Sequence, residues 1–304
     1  MQKMISPWSL GASLYMPAIR MDILEIIVDQ KFIGLKSLII CLEDAVGDSD
    51  LEFAIQNLQT TLSNLQNHLN DHPYKERDLP KIFIRPRNLE MAEWIAQNVC
   101  LKHITGFVLP KFDRETLDQW WAILAPTSLM AMPTLENDSV YDAREMHNLA
   151  EALREHPFSS RIVVLRIGGN DLMNGLRLRR DKNVTLYESP LGYVIKMLVA
   201  VFVSKGFYLT APVCEHFDDT DLLKKELGLD LLHGLVGKTV IHPKQIAIVN
   251  DCYKVSLELY KEAKRILAST AAVFKSNGSM CEPVTHYKWA IEVIERAKIY
   301  GLDC

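Results

Sequence analysis

The sequence predicts a (β/α)8 barrel followed by a C-terminal helical extension. Eight short apolar runs recur between residues 11 and 241, each followed by a helical pattern, and strands that alternate with helices give a parallel sheet. Runs such as residues 37–42 are apolar throughout, as strands covered on both faces are. No Gly-x-Gly-x-x-Gly follows the first run, which disfavours an open dinucleotide-binding sheet and leaves the closed barrel.

Residues 11–17 form the first run, which stops at Pro17, and Ile23, Ile26 and Ile27 lie at helical spacing within residues 21–31. Residues 37–42 end in Glu43 and Asp44, and Asp50 is placed to cap a helix reaching Leu69. The polar segment 70–78 reads as a surface loop. The third strand, residues 81–85, ends in Arg85, with a helix over 91–99. The fourth, 105–109, ends in Pro110 and Lys111, and Leu117, Trp120, Trp121 and Leu124 mark one side of a helix over 114–124. The fifth, 128–135, ends in Glu136 and precedes a helix over 143–155. The sixth begins at Arg161 and runs into Gly168, Gly169, Asn170 and Asp171. A polar loop over 177–187 and an apolar helix over 191–204 lead to the seventh strand, 206–211, which ends in Pro212. A short helix from Asp218 to Leu227 precedes the eighth strand, 235–241, which ends in His242. Two helical stretches, 256–275 and 284–300, flank the loop Ser276-Asn277-Gly278-Ser279. The expected division is a barrel over residues 1–250 and an extension over 251–304, packed on the barrel or on a neighbouring subunit.

The composition, 48% hydrophobic and 24% charged, is ordinary for a soluble globular chain with a large core. A net charge of -4 and the lack of a basic run argue against nucleic-acid binding. The first eight residues lack an apolar signal core, and no stretch approaches the roughly 18 apolar residues of a membrane span. The six cysteines are scattered without a Cys-x-x-Cys pair, which suits reduced thiols in a cytoplasmic protein.

In such a barrel the chemistry lies at the carboxyl ends of the strands. Glu43, Asp44, Arg85, Lys111, Glu136, Asp171 and His242 all fall there. Glu136 and Asp171 end successive strands. Each alone reads as a helix cap or a solvated loop acid; together, beside Gly168 and Gly169, they suit Mg2+, which takes few carboxylates and leaves positions for water and substrate. The glycines are expected to let metal and substrate approach the backbone. Arg85 suits a carboxylate or a developing enolate, and an ion pair with Glu43 or Asp44 is compatible with that. Lys111 is a base, a Schiff-base nucleophile or a structural ion-pair partner. His242 is a general base or ties the last strand to the next helix, and its place before Pro243 favours the tie. Cys214 acts as a nucleophile only if His216 activates it.

The stretches Leu14-Tyr15-Met16-Pro17-Ala18-Ile19-Arg20, Leu42-Glu43-Asp44-Ala45-Val46, Ile84-Arg85-Pro86-Arg87-Asn88, Leu109-Pro110-Lys111, Glu136, Gly168-Gly169-Asn170-Asp171-Leu172 and residues 237–246 occur in this order. In them the chain resembles the citrate lyase β-subunit-like branch of the HpcH/HpaI aldolase superfamily over nearly its whole length. The resemblance implies carbon–carbon cleavage or condensation with Mg2+ (or Mn2+ in its place), on a small carboxylic acid or an acyl-CoA such as citryl-, malyl- or citramalyl-CoA. It implies Glu136 and Asp171 as metal ligands, Arg85 as the group that stabilises the enolate, and Glu43 and Asp44 as the acids that order Arg85 and the metal's waters. Arg20, Lys111, Gly168, Gly169 and Pro212 complete the implied substrate-binding set with Arg85. Some relatives complete the site with an acid from a neighbouring subunit. Glu282 stands where an aspartate is usual, which implies a homo-oligomer such as a trimer. Gly11-Ala12 replaces a usual Arg-Ser, and the Lys and Ala-Arg that usually follow Leu-Glu-Asp-Ala-Val are absent; both loosen the link to a CoA thioester. A metal-dependent acyl-CoA thioester hydrolase and a non-catalytic metabolite-binding barrel are the competing readings.

Overall fold

The computed structural model describes residues 5–276 and 278–303. Its eight-stranded sheet comprises β1 (Ala12–Pro17), β2 (Ser37–Cys41), β3 (Lys81–Arg85), β4 (Gly106–Leu109), β5 (Met130–Leu135), β6 (Leu165–Ile167), β7 (Leu209–Thr210) and β8 (Lys238–Val240). All neighbours are parallel, in the order β7-β6-β5-β4-β3-β2-β1-β8, and a parallel bridge from Ala211 to Lys238 closes the ring. The helices between them are α1 (Ile23–Val28), α2 (Leu51–Asp71), α3 (Leu89–Asn98), α4 (Leu117–Leu124), α5 (Ala143–Glu155), α6 (Gly169–Gly175), α7 (Leu191–Leu198) and α8 (Thr220–Leu232), with α9 (Lys244–Cys252) after the last strand. The predicted (β/α)8 barrel is therefore the observed one. The apolar strands are apolar for the expected reason: Leu38, Ile39, Ile40, Ile82, Phe83 and Ile84 are fully buried, covered by helices outside and by the barrel core inside.

Several elements differ from their sequence expectation. The segment read as a loop over 70–78 holds a 3-10 turn, Pro73–Asp78. The sixth strand pairs regularly only over Leu165–Ile167, with a lone bridge from Ala131 to Ile162 before it. The helix expected over 191–204 widens into a π turn at Val199–Val203, which keeps Val201 and Phe202 buried. α8 runs past Gly228 to Leu232, because its inward side carries Glu226 and Asp230 among its leucines and so hides an apolar stripe.

The chain divides into two compact units at Ala247 and Ile248, inside α9. The second unit is more than two helices. β9 (Val255–Ser256), α10 (Leu257–Ala268), β10 (Phe274–Ser276), β11 (Ser279–Cys281), α11 (Pro283–Tyr300) and β12 (Leu302–Asp303) follow in order. The helix expected to reach Lys275 stops at Ala268, and β10 pairs antiparallel with β11. Asn277, in the expected loop, lies outside the described residues, as do residues 1–4 and Cys304. Val255, Ala263, Ile266, Cys281, Ala290, Val293 and Ala297 form this unit's own core. Among the described residues no helix is long and apolar enough to cross a membrane.

One polar clamp sets the loop after β1. Asn57 on α2 is buried and donates from Nδ2 to the carbonyls of Ala18 (2.7 Å) and Arg20 (2.8 Å). Asn57→Ala leaves both carbonyls without that donor. It is expected to lower stability by about 1–3 kcal/mol, read as a fall in denaturation midpoint with unchanged m-value.

Candidate active site

The carboxyl ends of β2, β3, β5 and β6 converge on one cavity of about 210 Å³, lined among others by Tyr15, Asp44, Arg85, Thr134, Glu136, Arg166, Asp171 and Thr239. Register builds the convergence. Cys41 pairs with Arg85 across β2 and β3, so Glu43 lies just beyond the strand end, beside the guanidinium. Leu135 pairs with Ile167 across β5 and β6, so Glu136 and Gly168 emerge side by side.

Arg85 is the hub. Its Nη2 donates to Glu136 Oε1 at 3.0 Å and Oε2 at 3.3 Å, pairs with Glu43, and lies 3.7 Å from Asp44 Oδ2. The Glu43 carboxylate touches Arg85 without an aligned hydrogen bond. Glu136 Oε1 also accepts the backbone N–H of Lys111 at 2.8 Å. Lys111 has a left-handed backbone, with φ of 48°, that turns this N–H toward the acid while its side chain stays exposed. The structure thus gives Lys111 a backbone role toward Glu136, in place of an ammonium among the cavity-lining groups.

Four carboxylates, Glu43, Asp44, Glu136 and Asp171, gather at this mouth, and three of them share the one Arg85 guanidinium. Burial pushes Glu43 up to about 8, with Arg85 opposing and Glu136 and Asp44 adding to the rise. Burial likewise raises Glu136 and Asp171, the latter with help from Asp44. Burial works against the Arg85 charge, but Tyr15, Glu136 and Glu43 more than offset it and keep the guanidinium protonated. Acids raised in this way favour a bound cation. Among the described residues no three His, Cys, Asp or Glu form a ready metal cage. Mg2+ does not need one, since it binds through one or two carboxylates and keeps waters and substrate oxygens. Glu136 and Asp171 therefore fit Mg2+.

Both glycines line the cavity, and each also makes room for a neighbouring side chain. A Cβ on Gly168 would sit 2.4 Å from Glu136 Cβ and 2.5 Å from Glu136 Oε2. Gly168 is what lets the Glu136 side chain lie where it does. A Cβ on Gly169 would meet Pro212 Cβ at 2.8 Å, so Gly169 seats the buried Pro212 ring beneath α6. Pro212 does not itself line the cavity; its neighbour Val213 does.

The remaining candidates fall elsewhere. Arg20 is exposed and grips Asp22 with Nε (2.9 Å) and Nη2 (2.7 Å), and it is not among the cavity-lining residues. His242 stacks on Phe217 at 4.8 Å and accepts the Lys244 N–H at 3.2 Å, which ties β8 to α9. Cys214 is buried, and burial raises its thiol, the opposite of an activated nucleophile. Glu282 belongs to the second unit, where it precedes α11 and its carbonyl accepts the His286 N–H at 3.2 Å. The sequence reading missed Tyr15, Thr134, Arg166 and Thr239. Arg166 had a signal: it is a charge in the middle of an apolar strand, as Lys238 is in the eighth.

Barrel and site together define an enzyme whose chemistry lies at the carboxyl ends of the strands. The family described as C–C bond lyase of the TIM-barrel fold matches residues 4–302, so the chain belongs to that family and is a carbon–carbon bond lyase. A search of the curated proteins finds no match. Among solved structures, it is similar to the protein CitE from Mycobacterium tuberculosis in complex with magnesium, acetoacetate and coenzyme A, at 20% identity and a TM-score of 0.66, over 95% of this chain and 98% of that one. RipC from Yersinia pestis is similar at 18% identity and a TM-score of 0.60, over 82% and 98% of the two chains. A citrate lyase beta subunit from M. tuberculosis, complexed with oxaloacetate and magnesium, is similar at 19% identity and a TM-score of 0.58, over 81% and 98%.

Proposed function

We propose that the protein is a Mg2+-dependent lyase that cleaves, or forms in reverse, a small β-hydroxy acid or its CoA thioester of malyl, citramalyl or citryl type. The observation that carries this is the pair Glu136 and Asp171 beside a guanidinium already committed to three acids. The M. tuberculosis structures hold magnesium with small keto acids, and one also holds coenzyme A. Glu136 and Asp171 would hold the cation, which when bound supplies Lewis-acid polarisation of the substrate carbonyl. Mn2+ is expected to substitute, because it takes the same oxygen donors.

Arg85 supplies the other half of the chemistry. When the carbon–carbon bond breaks, its electron pair passes into an enolate, and the substrate hydroxyl loses its proton as the carbonyl forms. Arg85 cannot deprotonate, so its N–H groups face the enolate oxygen with full charge. Glu43 and Asp44 fix the guanidinium in that position. Glu282, brought from a neighbouring copy in a homo-oligomer such as a trimer, is proposed to take the hydroxyl proton as the carbonyl forms and to return it to the enolate carbon.

The test is product analysis with Mg2+ and malyl-, citramalyl- and citryl-CoA, together with the free acids. A lyase releases a keto acid or aldehyde acid with the shorter acyl product, whereas a hydrolase releases free CoA and the intact acid. Glu136→Gln is expected to weaken Mg2+ at least ~10-fold and to remove turnover. No turnover of any of these compounds, with Mg2+ binding unchanged in Glu136→Gln, would falsify the assignment.

A further inference from the structure

The cavity contains a second guanidinium with different company. Arg166, at the centre of β6, is 2% exposed and lines the same space as Glu136 and Asp171. Arg85 has three carboxylates within 4 Å. Among the described residues, Arg166 has no carboxylate at ion-pair distance. Its Nη2 donates to the Thr239 hydroxyl, its guanidinium lies 5.1 Å from the Tyr15 ring centroid, and its Nη1 is buried without a hydrogen-bond partner. Arg85 approaches the same ring at 5.9 Å, so one tyrosine carries two cations of which only one is neutralised.

A buried charge without a counter-ion is costly, and a guanidinium cannot shed its proton to escape the cost. A hydroxyl and a ring face offset only part of it. What is missing is an acceptor with two oxygens in a plane, which the arginine fork matches. Glu43, Asp44 and Glu136 are committed to Arg85, Asp171 is reserved with Glu136 for the cation, and the orphan N–H belongs to a residue that lines the cavity. The partner therefore comes from outside.

We propose that Arg166 binds a second carboxylate of the substrate, which makes the substrate a dicarboxylic hydroxy acid: one end at Glu136 and Asp171, the far carboxylate on Arg166. This deepens the lyase reading and rests on it for the role of the acid pair. It assigns a free carboxylate, in place of a thioester, to the Arg166 side of the cavity. The basic residues missing around Gly11-Ala12 and after Val46 agree with a substrate that does without a nucleotide handle.

Two stable hydroxy acids that differ by one carboxylate, malate and lactate, test it by calorimetric titration of the full chain with Mg2+. Wild type is expected to bind malate ~10- to 100-fold more tightly than lactate, the range for a charged hydrogen-bond pair. Arg166→Met is expected to lose that preference and to bind malate no more tightly than lactate, while still binding lactate with Mg2+. It is also expected to raise the melting temperature of the ligand-free protein, because an uncompensated buried charge gives way to an apolar chain. Arg166→Lys, which keeps charge but not the fork, is expected to fall between the two in selectivity. Wild-type selectivity and the lysine variant test the idea independently of the methionine variant's folding. Absence of malate preference in wild type, or its persistence in Arg166→Met, overturns the proposal. Malate preference without any lyase turnover removes the lyase reading and leaves the Arg166 site standing; turnover without the preference does the reverse.

Discussion

Gly168→Ala is expected to leave the barrel folded and to lower kcat/KM by about 100-fold, the loss typical of a misplacement of about 1 Å at a reacting centre. The backbone does not resist the change. Gly168 has φ of -79°, which alanine adopts freely. The effect is therefore steric and local: the new methyl would overlap the Glu136 side chain at 2.4 Å and 2.5 Å. Glu136 has little room to retreat, since Arg85 and the Lys111 N–H hold its other oxygen. Mg2+ affinity and turnover should fall together, with the far-ultraviolet spectrum unchanged. Gly168→Ala with Glu136→Asp shortens the acid by one methylene and is expected to recover part of the Mg2+ affinity. Gly169→Ala gives the contrast. Its methyl meets the Pro212 ring, so its loss should appear first in stability. Wild-type Mg2+ dependence in Gly168→Ala removes Glu136 from the metal site.

That argument uses a feature no sequence pattern displays. The barrel was legible because strands buried on both faces must be apolar throughout, as β2 and β3 are. Charges at strand ends were legible because a buried strand that ends in Glu43, Arg85 or Glu136 places that charge at the barrel mouth. Direction and contact were not. Lys111 looked like an ammonium for the site and contributes its backbone N–H, because only the left-handed turn decides which group points inward. Gly168 looked like space for a ligand, and its contact with the Glu136 side chain was not visible. Arg20 matched a motif, yet Asp22 two residues on holds it. Arg166 was concealed by the rule that found the strand, since an apolar run is scored despite one charge. The start of β10 was absorbed into the end of a helix, and β11 went unread, because a three-residue strand has no period to read.

Glu226→Gln is expected to destabilise the barrel by about 3–5 kcal/mol, the cost of removing one partner from a buried ion network. Glu226 on α8 pairs with Arg180 and lies 3.3 Å from Lys238 on β8, while Asp230 takes Lys238 at 2.9 Å and the Tyr187 hydroxyl at 2.5 Å. The side chains of Arg180, Glu226, Asp230 and Lys238 are all at most 4% exposed. Glu226 also accepts the Leu186 N–H at 2.8 Å, so it joins the loop before α7 to the last strand. The glutamine keeps the shape and loses the charge, leaving Arg180 and Lys238 with one acid between them. For a unit of this size the melting temperature should fall on the order of 10 °C. The pH dependence follows from Glu226 itself. Burial would raise its carboxyl, but Lys238 and Arg180 outweigh burial and hold it below the ordinary value of 4.5. A carboxyl lowered on folding contributes stability above its unfolded pKa and loses it as pH falls through the folded one. The gap between wild type and Glu226→Gln should thus be full at neutral pH and close only in acid below 4.5. A constant gap across that range assigns the loss to packing, and a gap that widens in acid reverses the sign argued here.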